Sequence, residues 1–304
     1  MRSKDATGAL EQIAKQMGKA RFTRLPQVGV INTVYLLDND LILRIPRNGP
    51  GEIASAYRER IAVPLARAAG VRTPELVHFD DTRSLLPVPF MVYDYVDGAT
   101  LELLGLEFEA TPQVWRELGR DYARLHQSVT RTEENTHLEA PPFPSPQQLI
   151  DELSTRGVFT FRESNWLQGV IERLTPYVGT VETKFCHGDA QGTNVMVTPE
   201  THDYLAVIDW GSVTWAGPAH EFKSLPMRAV PFVLEGYRSV TETQADFEAR
   251  ILWWQFQSAF SALHREALPD LPNLSWAERP MSQLFELMRF LSHPSSEVWR
   301  YLSS

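Results

Sequence analysis

The chain has 304 residues, of which 43% are hydrophobic and 22% charged; this composition is typical of a folded globular protein and disfavours general disorder. A formal net charge of −9 disfavours nucleic acid and anionic membranes as partners, so we expect neither. The polar start MRSKDATGALEQIAKQ lacks a signal-peptide core, and the single cysteine, Cys186, is typical of a reducing compartment. These features together predict a cytoplasmic protein.

The first part of the chain predicts a small α+β lobe. Residues 8–18 have a helical pattern, and residues 29–47 hold two β-rich runs joined by DND, which predicts a hairpin. Residues 52–71 again predict a helix, which Pro64 is expected to kink or interrupt. Residues 89–98 predict a third strand that ends in a turn.

Helical patterns dominate after Gly98. Residues 111–127 begin with Thr111 at an N-cap position and a proline at the first helical position, which predicts the start of a helix. Its apolar stripe at helical spacing consists of Leu118, Tyr122 and Leu125.

Two short strand-like runs follow, near residues 185 and 205, and the chain is mainly helical again from about residue 221. We therefore expect two domains, a small lobe over residues 1–97 and a larger one over residues 98–304.

Three polar side chains stand at the ends of the strand-like runs. Asp189 and Asn194 lie in FCHGDAQGTNVMV, and Asp209 follows in VIDWG. Phosphoryl transfer from a nucleotide needs Mg²⁺ on the phosphates and a carboxylate that orients the attacking hydroxyl and accepts its proton. Mg²⁺ prefers hard oxygen ligands, which carboxylates and amides supply. The spacing His-x-Asp, four residues, then Asn, followed by Asp-x-Gly, is similar to the catalytic-loop and Asp-Phe-Gly pattern of kinases.

These motifs, together with GVINTVY, LILRIPR, GVRTPEL, LGRDYARLHQ and WAGPAHEF in this order, resemble the aminoglycoside phosphotransferase family. The matches run from about residue 25 to 225. The resemblance implies an α+β, bilobal protein-kinase-like fold. A small N-terminal antiparallel-sheet lobe would bind the nucleotide, and a larger, mainly helical C-terminal lobe would hold the catalytic and substrate-binding groups.

The resemblance also implies a role for each matching residue. Asp189 stands at the position of the catalytic base, and Asn194 and Asp209 stand at the positions of the Mg²⁺ ligands. Arg44 occupies the position of the phosphate-binding lysine of protein kinases, and Glu59 that of its helix partner. An arginine keeps the charge but changes the geometry of the contact.

The purine is expected to lie against the third strand. Tyr93 takes the gatekeeper position, and the backbones of Asp94 and Val96 are the expected contacts of the purine edge. The loop over residues 27–34, which includes Asn32, would cover the phosphates. Some aminoglycoside kinases with a large gatekeeper use GTP, so both ATP and GTP are candidates.

Two departures from the family pattern concern the catalytic loop. Glu221 stands where the family usually has an aspartate that braces the loop, and Gln191 is a candidate for facing the substrate. Asp189 and Glu59 each have a competing structural interpretation. Asp189 taken alone is typical of a turn, and Glu59 is equally typical of a solvated helix face. The aromatic run ILWWQF (residues 251–256) is more typical of helix packing than of a substrate wall.

The leading functional hypothesis is a nucleotide- and Mg²⁺-dependent O-phosphotransferase acting on a small-molecule hydroxyl, with an aminoglycoside-type antibiotic as the first candidate. The alternatives are a kinase of a macrolide or of a small metabolite (choline, homoserine or a sugar) and, more remotely, a nucleotide-binding pseudokinase. The net negative charge suits a cationic substrate. Five acids after residue 221 are candidates for binding its amines: Glu235, Asp246, Glu248, Glu266 and Asp270. Solvated helix charges are the default interpretation of these residues.

Overall fold

The structure is a computed structural model that describes residues 3–25, 32–139, 142–264 and 279–303. Part of the predicted phosphate loop, residues 27–31, lies outside these ranges, as do Glu266 and Asp270. Within the described ranges, no helix combines the length and the apolar composition that a bilayer span requires.

The N-terminal part is built on a five-stranded antiparallel sheet with the order β1-β2-β3-β5-β4. The strands are β1 (Phe22–Arg24), β2 (Asn32–Leu37), β3 (Leu41–Pro46), β4 (Leu76–Asp80) and β5 (Phe90–Asp94). The expected hairpin is confirmed as β2–β3, and its DND turn places Asp38 at φ 48°. The expected third strand is confirmed as β5.

The two faces of this sheet have different partners. Leu43 and Val92 are opposite each other in the β3–β5 register, and both pack in a cluster with the apolar side of α1 (Ser3–Gln16). Arg44 and Tyr93 point to the other face, because side chains alternate along a strand. The sheet therefore turns a charged and aromatic side toward the rest of the molecule.

Helix α2 (Pro50–Ala68) packs on that second face and runs through Pro64 without a break. The predicted interruption is wrong. Pro64 lies on the exposed side of α2, so water can hydrate the carbonyl that loses its hydrogen bond, and the buried side stays intact.

Two strands of this five-stranded sheet were not predicted. The strand β1 has only three residues, and β4 mixes polar and apolar residues and carries an irregularity between Leu76 and His78. A register shift of this kind breaks the strict alternation by which a half-buried strand is recognised in a sequence.

The helix α4 (Pro112–Ser128) confirms the predicted helix, and its stripe is buried: Leu118, Tyr122 and Leu125 are all 0% exposed. Thr111 occupies the N-cap position, but among the described residues its side chain makes no capping hydrogen bond, since its backbone (φ −123°, ψ 50°) is not extended. The predicted cap is therefore only positional.

Helix α4 packs directly on α7 (Val230–Arg238) through two glycines. A Cβ added at Gly119 would lie 2.0 Å from the Val233 carbonyl oxygen, and one added at Gly236 would lie 2.0 Å from the Arg116 carbonyl oxygen. The two helix backbones touch at these points, which only glycine permits.

The remaining elements complete a mainly helical second lobe around one large apolar cluster. They are β6 (Ala99–Thr100), α3 (Leu101–Leu104), α5 (Pro146–Thr155), α6 (Phe161–Leu174), β7 (Lys184–Cys186), β8 (Val195–Val197), β9 (Tyr204–Val207), β10 (Thr214–Ala216), α8 (Phe247–His264), α9 (Ser282–Ser292) and α10 (Glu297–Ser303). Strand β7 pairs with β10, and β8 pairs with β6 and β9.

Candidate active site

The β8–β9 hairpin brings Asn194 and Asp209 to the same end of one small sheet. Asn194 comes directly before β8, and Asp209 follows β9 after one intervening residue, Ile208. The Ile208 amide donates a hydrogen bond of 2.9 Å to the Asn194 carbonyl oxygen. The antiparallel pairing of β8 and β9 therefore brings Asn194 and Asp209, which are well separated in the sequence, close together.

Asn194 also contacts Asp189, which follows β7. Its side-chain nitrogen donates to the Asp189 backbone oxygen (2.8 Å) and to carboxylate oxygen Oδ2 (3.3 Å). Because the amide nitrogen is turned toward Asp189, the amide oxygen of Asn194 is the atom that can serve as a cation ligand. Asp209 has a left-handed backbone (φ 68°) and a side chain that is 29% exposed.

The charge of Asp189 is disfavoured by its surroundings. Burial raises the pKa of its carboxyl group, the positive charge of Lys223 opposes that shift, and the negative charge of Asp209 adds to it. The side-chain nitrogen of Gln191 donates long hydrogen bonds of 3.3 and 3.4 Å to the two carboxylate oxygens. A buried carboxylate with a raised pKa is a better proton acceptor than one in water.

Glu221 braces the loop before Asp189, at the position where the family usually has an aspartate. Its two oxygens accept the amide protons of His187 (2.8 Å) and Gly188 (3.0 Å), and His126 Nε2 lies 3.2 Å from Oε2. Burial alone would raise the pKa of Glu221, but the hydrogen bonds of His126 and the loop amides outweigh it and hold the pKa below its ordinary value.

Arg44 joins the two lobes. Its guanidinium lies 2.7 Å from Glu59 Oε2 and 3.3 Å from Asp209 Oδ1, so one cation touches both carboxylates. The Tyr93 hydroxyl donates to the same Glu59 oxygen at 2.6 Å. Burial disfavours the charge of Arg44, but Glu59 and Asp209 raise its pKa above the ordinary value, so the guanidinium stays protonated.

Glu59 is less well satisfied than Arg44. Its Oε1 atom is buried and has no hydrogen-bond partner among the described residues. Burial, opposed by the charge of Arg44, raises the pKa of Glu59 to about 7.

The remaining predicted nucleotide residues lie along the sheet. Asp94 is exposed at the end of β5, and its amide donates to the Glu75 carbonyl oxygen at 3.1 Å. Val96 is half-buried just beyond, and Asn32 is half-buried at the start of β2, opposite Pro46.

A model of the phosphotransferase enzyme family matches residues 23–250, which is three quarters of the chain. The chain belongs to this family. Among curated proteins, no sequence matches it.

Solved structures share the fold of this phosphotransferase. The GDP complex of aminoglycoside 2'-phosphotransferase-IIIa has a TM-score of 0.67 at 14% identity, covering 95% of this chain and 98% of that one. A choline/ethanolamine kinase family protein from Mesorhizobium loti has a TM-score of 0.64 at 18% identity, covering 100% and 99%. Spectinomycin phosphotransferase with ADP and spectinomycin has a TM-score of 0.60 at 12% identity, covering 96% and 97%.

At these identities the similarity concerns the fold. The expected fold class is thereby confirmed: the phosphotransferase is α+β, bilobal and protein-kinase-like, with a small antiparallel-sheet lobe and a larger, mainly helical lobe.

Several contacts at the site of this phosphotransferase were not predicted from its sequence. They include the ion pair between Arg44 and Asp209, the hydrogen bond from Tyr93 to Glu59, and a hydrogen bond from Lys223 to the Gly188 carbonyl oxygen. No spacing or motif indicates the first two. Lys223 stands two residues after Glu221, and that position was the only available signal.

Three acids that were candidates for binding a cationic substrate already have partners. Each forms an ion pair with an arginine: Glu235 with Arg116 (2.8 Å), Asp246 with Arg250 (2.7 Å) and Glu248 with Arg238 (2.7 Å). An ammonium group of a substrate would have to compete with these arginines for the three carboxylates.

Proposed function

We propose that this phosphotransferase moves a phosphoryl group from ATP or GTP, with Mg²⁺, to a hydroxyl group of a small molecule. The observation that carries the proposal is the position of Asn194, which contacts Asp189 through its side chain and the residue before Asp209 through its backbone. Three oxygen-bearing side chains are thus gathered, and Arg44 of the sheet lobe contacts one of them, Asp209.

In this proposal, residues 1–97 bind the nucleotide and residues 98–304 supply the catalytic and acceptor-binding groups. Asp189 orients the acceptor hydroxyl and takes its proton as the oxygen attacks the terminal phosphorus. The bond from that phosphorus to the bridging β-phosphate oxygen breaks, and ADP or GDP leaves. Its raised pKa suits this role, because a proton acceptor works best when its pKa approaches the working pH.

The donor set fits Mg²⁺. Asn194 offers an amide oxygen and Asp209 a partly exposed carboxylate, which are the hard ligands that this ion prefers. When bound, Mg²⁺ would supply positive charge beside the phosphates, in addition to the charge that the protein itself provides. We assign Asn194 and Asp209 as its protein ligands.

The sheet lobe would position the nucleotide. Arg44, fixed by Glu59, provides the phosphate-binding charge, and Tyr93 holds Glu59 from the purine side. Asn32, at the start of β2, would help to cover the phosphates, and the backbones of Asp94 and Val96 would contact the purine edge. The GDP and ADP in solved relatives support nucleotide binding.

The acceptor has two candidates. Solved relatives that carry gentamicin, kanamycin or spectinomycin support an aminoglycoside-type antibiotic, which would make this a resistance kinase. The pairing of Glu235, Asp246 and Glu248 with arginines favours the alternative, an acceptor with less positive charge, such as a small metabolite or a macrolide.

The test is a panel of aminoglycosides, macrolides, amino alcohols and sugars incubated with ATP or GTP and Mg²⁺, with mass spectrometry for the added phosphate. We expect one class to gain a phosphate. For that acceptor, Asp189→Asn should lower turnover by about 10²–10⁴-fold. Asp151→Asn, an exposed acid on α5, is the matched control and should keep normal turnover. Near-normal phosphorylation by Asp189→Asn would contradict the assignment of the base.

The metal assignment is tested separately. Asp209→Ala should abolish Mg²⁺-dependent nucleotide turnover, because the ion loses its carboxylate ligand. A Mg²⁺ titration curve like that of the unmodified protein would remove Asp209 from the metal site. A protein that binds nucleotide and consumes none with any acceptor would be a pseudokinase.

A further inference from the structure

Lys223 contacts the catalytic loop from outside the kinase-like motifs. It comes directly after the 3₁₀ turn Pro218–Phe222, and its ammonium donates to the Gly188 carbonyl oxygen at 2.5 Å and to Ser224 Oγ at 3.3 Å. The side chain is half-buried. A lysine gives up hydration and rotamer freedom in such a position, so its contacts must compensate.

The peptide unit that leads into Asp189 is held at both of its polar atoms. Its carbonyl oxygen, on Gly188, accepts from Lys223, and its N–H, on Asp189, donates to His187 Nδ1 at 3.2 Å. A peptide unit is planar, so fixing both atoms fixes the position of the Cα atom from which the Asp189 side chain leaves the backbone.

The preceding peptide unit is fixed by the same short segment. The Gly188 amide donates to Glu221 Oε1, and Glu221 stands two residues before Lys223. Gly188 itself has φ 78°, and a Cβ there would lie 2.7 Å from the Ser212 carbonyl oxygen. An anion and a cation two residues apart in the chain therefore bind the N–H and the carbonyl oxygen of a single glycine in the left-handed region.

We propose that Lys223 is a positioning residue for phosphoryl transfer, whose ammonium group holds the Gly188–Asp189 peptide unit so that the Asp189 carboxylate faces the acceptor hydroxyl. The inference rests on the proposed function, since it gives Lys223 a part in that reaction. Lys223 touches the backbone of the loop and acts through Asp189.

The test compares Lys223→Met, which keeps the length and removes the charge, with Lys223→Arg, which keeps a cationic donor. Lys184→Met is the matched control, because Lys184 lies on β7, which leads into the same loop, and pairs with the exposed Glu182 at 2.7 Å. For each protein, kcat and the KM of nucleotide and acceptor are measured, together with amide hydrogen exchange over residues 187–191.

We expect Lys223→Met to lower kcat by about 10- to 100-fold, the effect of losing a charge-assisted hydrogen bond that orients the reacting group. The KM of the nucleotide should stay within about twofold, because Arg44 and the sheet lobe are unchanged. Exchange at residues 187–191 should become faster, Lys223→Arg should recover most of kcat, and Lys184→Met should match the unmodified protein.

The proposal is overturned if Lys223→Met keeps kcat within about twofold, or if Lys223→Arg is as impaired as Lys223→Met. If Lys223→Met does not fold, Lys223→Gln takes its place under the same criteria. If the unmodified protein transfers no phosphate, the proposed function fails. The exchange measurement then still decides whether Lys223 holds the loop, and unchanged exchange would refute that hold.

Discussion

Glu59 and Glu221 are both almost completely buried, at 1% and 0% exposed, and each lies beside a group of the proposed reaction. Glu221 has donors on both oxygens, two from loop amides and one from His126. Glu59 has two donors on Oε2, from Arg44 and Tyr93, and none from the described residues on Oε1.

The pKa of Glu221 is lowered while that of Glu59 is raised to about 7. Burial disfavours the charge of both side chains. The difference between their pKa values therefore comes from how completely hydrogen bonds replace water around each carboxylate. The loop brace is built to stay charged, whereas the partner of Arg44 titrates near neutrality.

The largest expected effect is on the loop brace. Glu221→Gln should lower the free energy of unfolding by about 3–5 kcal/mol, because the new amide group presents a donor to one of the two backbone donors. Denaturant unfolding measures it. Glu235→Gln, which removes an exposed partner of Arg116, is the control and should cost under about 1 kcal/mol. A loss for Glu221→Gln no larger than for the control would show that the two buried glutamates do not differ as described.

The pH dependence of stability should be next in size, and opposite in direction for the two residues. The pKa of Glu59 is about 7 in the folded state, against 4.5 as its ordinary value. Between these values the folded state keeps a proton that the unfolded chain releases, so the free energy of unfolding falls as pH rises. The loss should be on the order of 3 kcal/mol between pH 4.5 and 7, and it should be absent in Glu59→Gln.

Glu221 should act in the other direction. Its folded-state pKa is lowered, so its contribution to stability is present above the ordinary carboxyl pKa and is lost as pH falls through the folded-state value. Urea unfolding from pH 3 to 8 separates the two. If the free energy of unfolding changed with pH equally in Glu59→Gln and in the unmodified protein over pH 4.5–7, the raised pKa of Glu59 would be refuted.

The smallest expected effect is that of Tyr93→Phe. Loss of the hydroxyl removes one of the two donors of Glu59 Oε2, which should lower the free energy of unfolding by about 1 kcal/mol. We also expect a rise of a few fold in the nucleotide KM, since Arg44 is held less firmly. Tyr35→Phe, on the other face of the sheet, is the comparison variant. If it raised the KM equally, the effect would not come from Glu59.

The sequence predicted what depends on local pattern. The DND turn indicated the hairpin that carries Arg44, and the spacing of Asp189, Asn194 and Asp209 indicated three groups that the β8–β9 hairpin and the preceding loop bring together. It missed what depends on neighbours distant in the chain. Pro64 is tolerated because its side of α2 faces water, and the bond from Tyr93 to Glu59 exists only because α2 lies on that face of the sheet.

The contact of α4 and α7 at Gly119 and Gly236 has a consequence for the loop that carries Asp189. Helix α4 bears His126 and α7 bears Tyr237, whose hydroxyl lies 2.9 Å from His126 Nδ1, while the other ring nitrogen of His126 faces Glu221. A methyl group added at either glycine would push α4 and α7 apart, so His126 would be held less firmly against Tyr237 and Glu221. Gly119 and Gly236 thus help to fix the position of the Glu221 carboxylate, although neither glycine contacts it.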